Sequence, residues 1–211
     1  MTSMTIAAFD FDQTLTRHDS VVPFLRQVAG TGRLAGGLAM RAHRVTAAVA
    51  YRDRDALRAV ATEVALRGVS RAELDHHAAR LGARIVEGGL RADTAARLGW
   101  HREQGHHVVI VSASYTQYVQ VVGEHLAVDE VLATQVEFDE ADRCTGRLAG
   151  ANCRGEEKVV RLSAWLHSRQ IPRSDATIWA YGDSNGDRAM LGFADHSVWV
   201  TKPLASVAPA R

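Results

Sequence analysis

Two aspartates one residue apart, Asp10 and Asp12, close the apolar run of AAFDFDQTLT (7–16), and a second acidic pair, Asp183 and Asp187, stands in YGDSNGD (181–187). On an extended strand residues i and i+2 project to one side, so Asp10 and Asp12 are expected to converge. Converging carboxylates need a shared proton or a bound cation, and a hard divalent ion such as Mg²⁺ prefers oxygen ligands. Gly182 reads as the pivot of a tight turn, with Asp183 at its tip and Asp187 opening a helix. Ser112, in VVIVSAS, would end another strand, where its hydroxyl and the backbone N–H groups that follow can cradle an anion. A fixed positive charge completes the set. Of 25 basic residues the only lysines are Lys158 and Lys202. A chain that otherwise writes arginine and places lysine in GEEKVVRL has reason to want a compact point charge there.

These residues need a scaffold that brings distant segments together. Nearly continuous apolar runs at 5–11, 107–113, 177–183 and 197–201 read as strands covered on both faces. Helical patterns at 92–105, 115–126 and 156–169 alternate with them, which predicts an α/β fold: a Rossmann-like parallel sheet with crossover helices. From about residue 20 to residue 89 only helical patterns occur. In 70–89, Ser70 and Glu73 form an expected capping box and Leu74, Ala78, Leu81 and Ile85 fall on one stripe. The expected division is a core of residues 1–18 and 90–211, with residues 19–89 inserted as a helical cap above the carboxyl end of the first strand. Residues 131–150 read as a small hairpin at the sheet edge, around an acidic turn.

Composition narrows the function classes. The 211 residues are 46% hydrophobic, enough for a real core, and 25 basic against 24 acidic residues give a formal charge of +1 with no basic block, which argues against a nucleic-acid partner. Cys144 and Cys153 lack metal-ligand spacing, and the N-terminus lacks the basic and long apolar stretches of a secretory signal, so a reduced, cytoplasmic setting is expected. The apolar segment 34–51 is interrupted by Arg41, His43 and Arg44, wrong for a membrane span, and no stable membrane association is expected. Ten histidines show no HExxH-type spacing, and the pairs His76–His77 and His106–His107 point apart.

With these residues in view, the chain resembles the haloacid dehalogenase superfamily of phosphohydrolases, in the branch with a helical cap after the first motif to which phosphoserine phosphatase belongs. The motifs appear in order as DFDQTLT, VVIVSAS, Lys158 in RGEEK, and YGDSNGD. The resemblance implies Asp10 as nucleophile, forming an aspartyl-phosphate, and Asp12 as general acid and then base. It implies Mg²⁺ held by Asp10, the main-chain carbonyl of Asp12, Asp183 and, in support, Asp187. Ser112, Ala113 and Lys158 would bind the phosphoryl group. Asp12 also separates the chain from ion-pumping ATPases, which resemble DKTGT at this motif.

Two departures from the pattern stand out: Gly186 occupies a position where phosphoserine phosphatases have asparagine, and SAS stands for SGG. Asp19 lies where those enzymes place an acid for the substrate's amino group, while Arg17, His18, Arg41, Arg44, Arg52 and Arg54 are candidates to meet a further acidic group. The expected function is a Mg²⁺-dependent phosphatase of a small phosphomonoester, phosphoserine-like, working as a monomer or homodimer. The alternatives are a lipid-phosphate phosphatase of the phosphatidylglycerophosphate type, with residues 34–51 touching a membrane, and a non-catalytic phosphate-binding protein.

Overall fold

A computed structural model describes residues 4–204; the first three and last seven residues of the expected core segments lie outside the described residues. Strands β1 (Met4–Phe9), β2 (His107–Tyr115), β3 (Glu130–Thr134), β6 (Ala176–Gly182) and β7 (His196–Trp199) form one parallel sheet in the order β3-β2-β1-β6-β7. The apolar runs are continuous because both faces are buried. Ala7, Phe9, Ile110 and Tyr181 face one core, shared with α7 (Thr116–Leu126), whereas Ile6, Ala8, Val109, Ile178 and Ala180 face the other. That second core is closed by α8 (Glu156–Ser168) and α9 (Arg188–Phe193). Helix α6 (Ala92–Glu103) completes the crossover between β1 and β2.

Between β1 and α6 the described chain is helical: α1 (Val21–Ala29), α2 (Thr31–Met40), α3 (Ala42–Ala50), α4 (Arg54–Leu66), α5 (Arg71–Arg84) and a π-turn (Ile85–Gly89). Leu74, Ala78, Leu81 and Ile85 are all buried. Ser70 Oγ accepts from Glu73 N–H at 3.3 Å, which is half of the expected box. The segment expected as one helix over 34–51 breaks at Arg41, whose guanidinium turns to Glu63 on α4 at 3.0 Å. No helix among the described residues is long and apolar enough to cross a membrane.

The expected edge hairpin over 131–150 is corrected in two ways. Its first part, β3, joins the main sheet as a parallel edge strand. The hairpin proper, β4 (Val136–Phe138) with β5 (Cys144–Leu148), forms a separate two-stranded sheet. It is tied to the helical region instead: Gly68 N–H donates to Cys144 O at 2.8 Å, Cys144 N–H to Val69 O at 2.8 Å, and Arg71 N–H to Asp142 O at 2.9 Å. The two strand signals were fused because Gln135 alone separates them.

Candidate active site

The carboxyl ends of β1, β2 and β6 deliver the site, and Arg54 and Arg58 of α4 line the same cavity. β1 stops at Phe9, and Asp10 N–H still donates to Tyr181 O on β6 at 2.9 Å. Leu15 and Thr16 N–H both donate to Phe11 O, so the chain coils immediately into a turn. Consequently Asp12 lies in that turn rather than on the strand, and the two carboxylates meet one cavity through different partners. Asp10 turns to Lys158 and Asp187, while Asp12 turns toward the first turn of α1.

Lys158 lies in the first turn of α8, 1% exposed, and its Nζ donates to Asp10 Oδ1 at 2.5 Å and Asp187 Oδ1 at 2.6 Å. The other oxygen of Asp187 accepts from Ser184 N–H at 2.9 Å and Ser184 Oγ at 2.8 Å. Gly182 serves close approach here: a Cβ on it would stand 2.5 Å from Asp187 Cβ. The tight-turn reading of Gly182 gives way to this, since Gly182 is the last residue of β6. Asp10, Asp183 and Asp187 bring ligand oxygens within 4.8 Å of one another; the Asp12 carboxylate stands outside that group. Thr14 Oγ1 donates to Asp183 Oδ1 at 3.3 Å.

Asp12 is held by neutral donors. Oδ1 accepts from Ser20 N–H at 3.0 Å and Ser20 Oγ at 2.5 Å, and Oδ2 accepts from Ser114 Oγ at 2.6 Å. Ser20 Oγ lies 2.9 Å from Tyr118 OH, so this buried tyrosine supports the network. On β2 the pairing register breaks between Ser112 and Tyr115, which takes Ala113 and Ser114 out of the ladder. Ser114 N–H then donates to Ser112 Oγ at 3.0 Å, leaving the Ser112 hydroxyl proton free to serve another acceptor. Ala113 O accepts from Arg58 of α4 at 2.9 Å.

The electrostatics follow from burial and partners. Burial pushes the Asp10 carboxyl above its ordinary range and the Lys158 charge pulls against it. Burial also works against the Lys158 ammonium, yet Asp10 and Asp187 outweigh it and hold the lysine above its usual range. Lys158 therefore stays charged. Asp12 is raised to about 6 by burial, with the Ser114 and Ser20 hydrogen bonds opposing. Asp183 is raised by burial and by the charge of Asp187. Three carboxylates gathered about one ammonium make an all-oxygen donor set, which fits a hard divalent cation at Asp10, Asp183 and Asp187.

A cavity of about 140 Å³ joins the two halves, lined by Asp10, Asp12, Ser112, Ala113, Lys158, Asp183 and Asp187. Asp19 also lines it, but its Oδ1 accepts from Val21 and Val22 N–H, capping α1. Of the candidate arginines only Arg54 reaches the cavity; Arg41 and Arg44 pair with Glu63, and Arg17 donates to Leu90 O. Sequence reasoning missed Ser20, Arg58, Asn152, Arg154 and Ser184. Their only signal is adjacency to the motifs or a place on α4.

Comparison with known proteins places these motifs in context. A profile of haloacid dehalogenase-like hydrolases matches residues 7–192. The chain is similar to protein CicA of Caulobacter vibrioides, with 35% identity over 191 residues covering 90% of this chain and 83% of that protein. A solved structure of a Bordetella pertussis Tohama I protein of unknown function matches with a TM-score of 0.74 and 26% identity, over 90% of this chain and 87% of that one. A probable phosphoserine phosphatase from Vibrio cholerae shares the fold with a TM-score of 0.66 and 16% identity, over 92% of this chain and 55% of that one.

Proposed function

The chain belongs to the haloacid dehalogenase-like hydrolase family, and from that premise we propose that it is a Mg²⁺-dependent phosphatase of small phosphomonoesters, phosphoserine-like in size. One observation carries the reading: a buried carboxylate, Asp10, faces the Lys158 ammonium at 2.5 Å, while a second carboxylate in the same cavity, Asp12, is surrounded by neutral donors.

In the first step an Asp10 oxygen attacks phosphorus and the bond from phosphorus to the ester oxygen breaks. Asp12 gives its proton to the departing alkoxide. In the second step Asp12, now a carboxylate, takes a proton from water whose oxygen attacks the same phosphorus; the bond to Asp10 breaks and inorganic phosphate leaves. Burial raises the Asp12 carboxyl to about 6 against its hydroxyl donors, which suits it to both roles. Ser112 and the backbone at Ala113 offer donors to the phosphoryl oxygens. Asp10, Asp183 and Asp187 would hold a divalent cation, which would supply charge neutralisation for the transfer.

Residues 19–89 are read as a cap that closes over this cavity. Its latches to the core are Arg58 on Ala113 O, Thr62 Oγ1 with Tyr115 OH at 2.6 Å, and Asn152 Nδ2 on Asp55 Oδ1 at 2.6 Å. A second reading has support of its own. An apolar cavity of about 280 Å³ between α1, α2 and α4, lined by Val22, Leu25, Leu34, Leu38 and Leu57, offers room for an apolar tail and favours a phosphomonoester that carries one.

The test is a phosphate-release screen over phosphorylated metabolites and lyso-lipid phosphates with Mg²⁺, run beside Asp10→Asn. Release by the wild type and none by the variant supports the reading. Equal release by both removes Asp10 as nucleophile, and preference for lipid phosphates selects the second reading.

A further inference from the structure

Beside Asp187 the cavity wall carries a cation that the mechanism above does not use. Arg154 stands in the loop before α8, four residues ahead of Lys158, and lines the cavity with Asp10, Ser112 and Asp183. The backbone places it there. Gly155 N–H donates to Gly186 O at 2.9 Å, which ties the Arg154 loop to the loop after β6. A Cβ on Gly186 would stand 3.2 Å from Arg154 Nε and 3.3 Å from its Cγ, tighter than neighbours normally tolerate, so the bare glycine is what lets the arginine stem lie across it.

The two cations differ in how they are occupied. Lys158 has three donors and already gives two of them to Asp10 and Asp187. Among the described residues the Arg154 guanidinium has no hydrogen bond or ion pair, although it is half-buried. A planar fork with five donors matches an oxyanion in a way that a point charge does not. It comes from the loop before α8 and lies against Gly186, next to Asp187 in the chain, whereas Arg54 and Arg58 come from α4.

We propose that Arg154 binds the phosphoryl oxygens of the substrate and of the inorganic phosphate product, with Gly186 keeping the space it needs, while Lys158 mainly holds Asp10 and Asp187 in place. This rests on the phosphatase reading and adds a binding residue to it.

The experiment uses the full chain with Mg²⁺ and measures inorganic phosphate binding by calorimetry, together with KM for p-nitrophenyl phosphate, whose leaving group carries no second acid. Arg154→Gln is expected to weaken phosphate binding and raise KM by roughly ten- to a hundredfold, the scale of a lost charge-assisted hydrogen bond. Arg154→Lys should recover part of the loss. Gly186→Ala, which keeps the arginine but crowds it, should shift both quantities the same way by a smaller factor, at an unchanged melting temperature. Wild-type phosphate affinity in Arg154→Gln overturns the proposal. So does a loss confined to substrates with a second acid, such as phosphoserine, because Arg154 would then serve the leaving group. Calorimetry judges Arg154 even where no ester is hydrolysed, so failure of the hydrolase reading and failure of this one are told apart.

Discussion

Asp10 and Asp12 are near neighbours in the chain and opposites in their surroundings. The Asp10 side of the cavity is a charged cluster in which one ammonium holds two carboxylates together and a third stands close by. The Asp12 side is a web of hydroxyls and one backbone N–H, with no cation paired to it among the described residues. Burial is common to both, so the partners make the difference. A carboxylate facing a fixed positive charge is favoured in its ionised form and suits nucleophilic attack. Burial raises both carboxyls, Asp10 to about 7 and Asp12 to about 6; at Asp12 only neutral hydrogen-bond donors oppose it and no ammonium competes for its proton, which suits it to proton transfer.

Breaking each side separately tests that contrast. Asp10→Asn is expected to lower kcat by roughly 10⁴-fold or more, as loss of a nucleophile does, in a steady-state phosphate-release assay. Asp12→Asn should cost about 10²- to 10⁴-fold in kcat. Its deficit should shrink for esters of acidic alcohols, which need no proton on leaving; an equal deficit for every leaving group contradicts the proton-donor role. Lys158→Met leaves Asp10 and Asp187 as buried carboxylates without their ammonium, and should destabilise the fold by about 3–5 kcal/mol in urea unfolding. Added Mg²⁺ should restore part of that loss, and a variant as stable as wild type would show that the charged side is not held by the lysine. Gly182→Ala sets a Cβ against Asp187 and should cost about 1–3 kcal/mol, the scale of overpacking.

The smallest effect contrasts the cavity with a titrating group outside it. His101 is lowered to about 3, first by burial and then by the charges of His106 and Arg97. Its Nε2 lies 2.8 Å from Tyr181 OH. The unfolded chain takes up this proton below about 6.5 and the folded one only near 3, so the stability from a neutral His101 is present above about 6.5 and is lost as pH falls toward 3. Thermal unfolding between pH 7 and pH 4 should therefore be less pH-dependent in His101→Gln than in wild type; identical slopes would exclude His101 as the source.

The difference between the two sides also explains what the sequence disclosed. The floor of the site was legible because Asp10, Ser112 and Asp183 sit at or just beyond the ends of apolar runs, strand ends in a parallel sheet gather at one edge, and Lys158 stands out as one of two lysines. The direction of Asp12 was not legible, because the strand stops at Phe9 and hydrogen bonds to Phe11 O turn the chain before the two-residue alternation can act. Ser20 looked like an ordinary residue before a helix, and its contact with Asp12 exists only once the chain between them turns back on itself. Arg154 was hidden for a similar reason: its place depends on the missing side chain of Gly186, thirty-two residues away. The helical region was readable as helices, but the attachment of the β4–β5 hairpin to it rests on backbone contacts at Gly68 and Val69 that carry no side-chain pattern.

The most direct test is to trap the covalent step. Asp12→Asn, which slows hydrolysis of the intermediate, is mixed with p-nitrophenyl phosphate and Mg²⁺, quenched in acid, digested and examined by mass spectrometry. The account predicts one added phosphoryl group on the peptide that contains Asp10, absent from the Asp10→Asn, Asp12→Asn double variant. A burst of p-nitrophenol with no phosphoryl group on that peptide, or with the group on another residue, would contradict it.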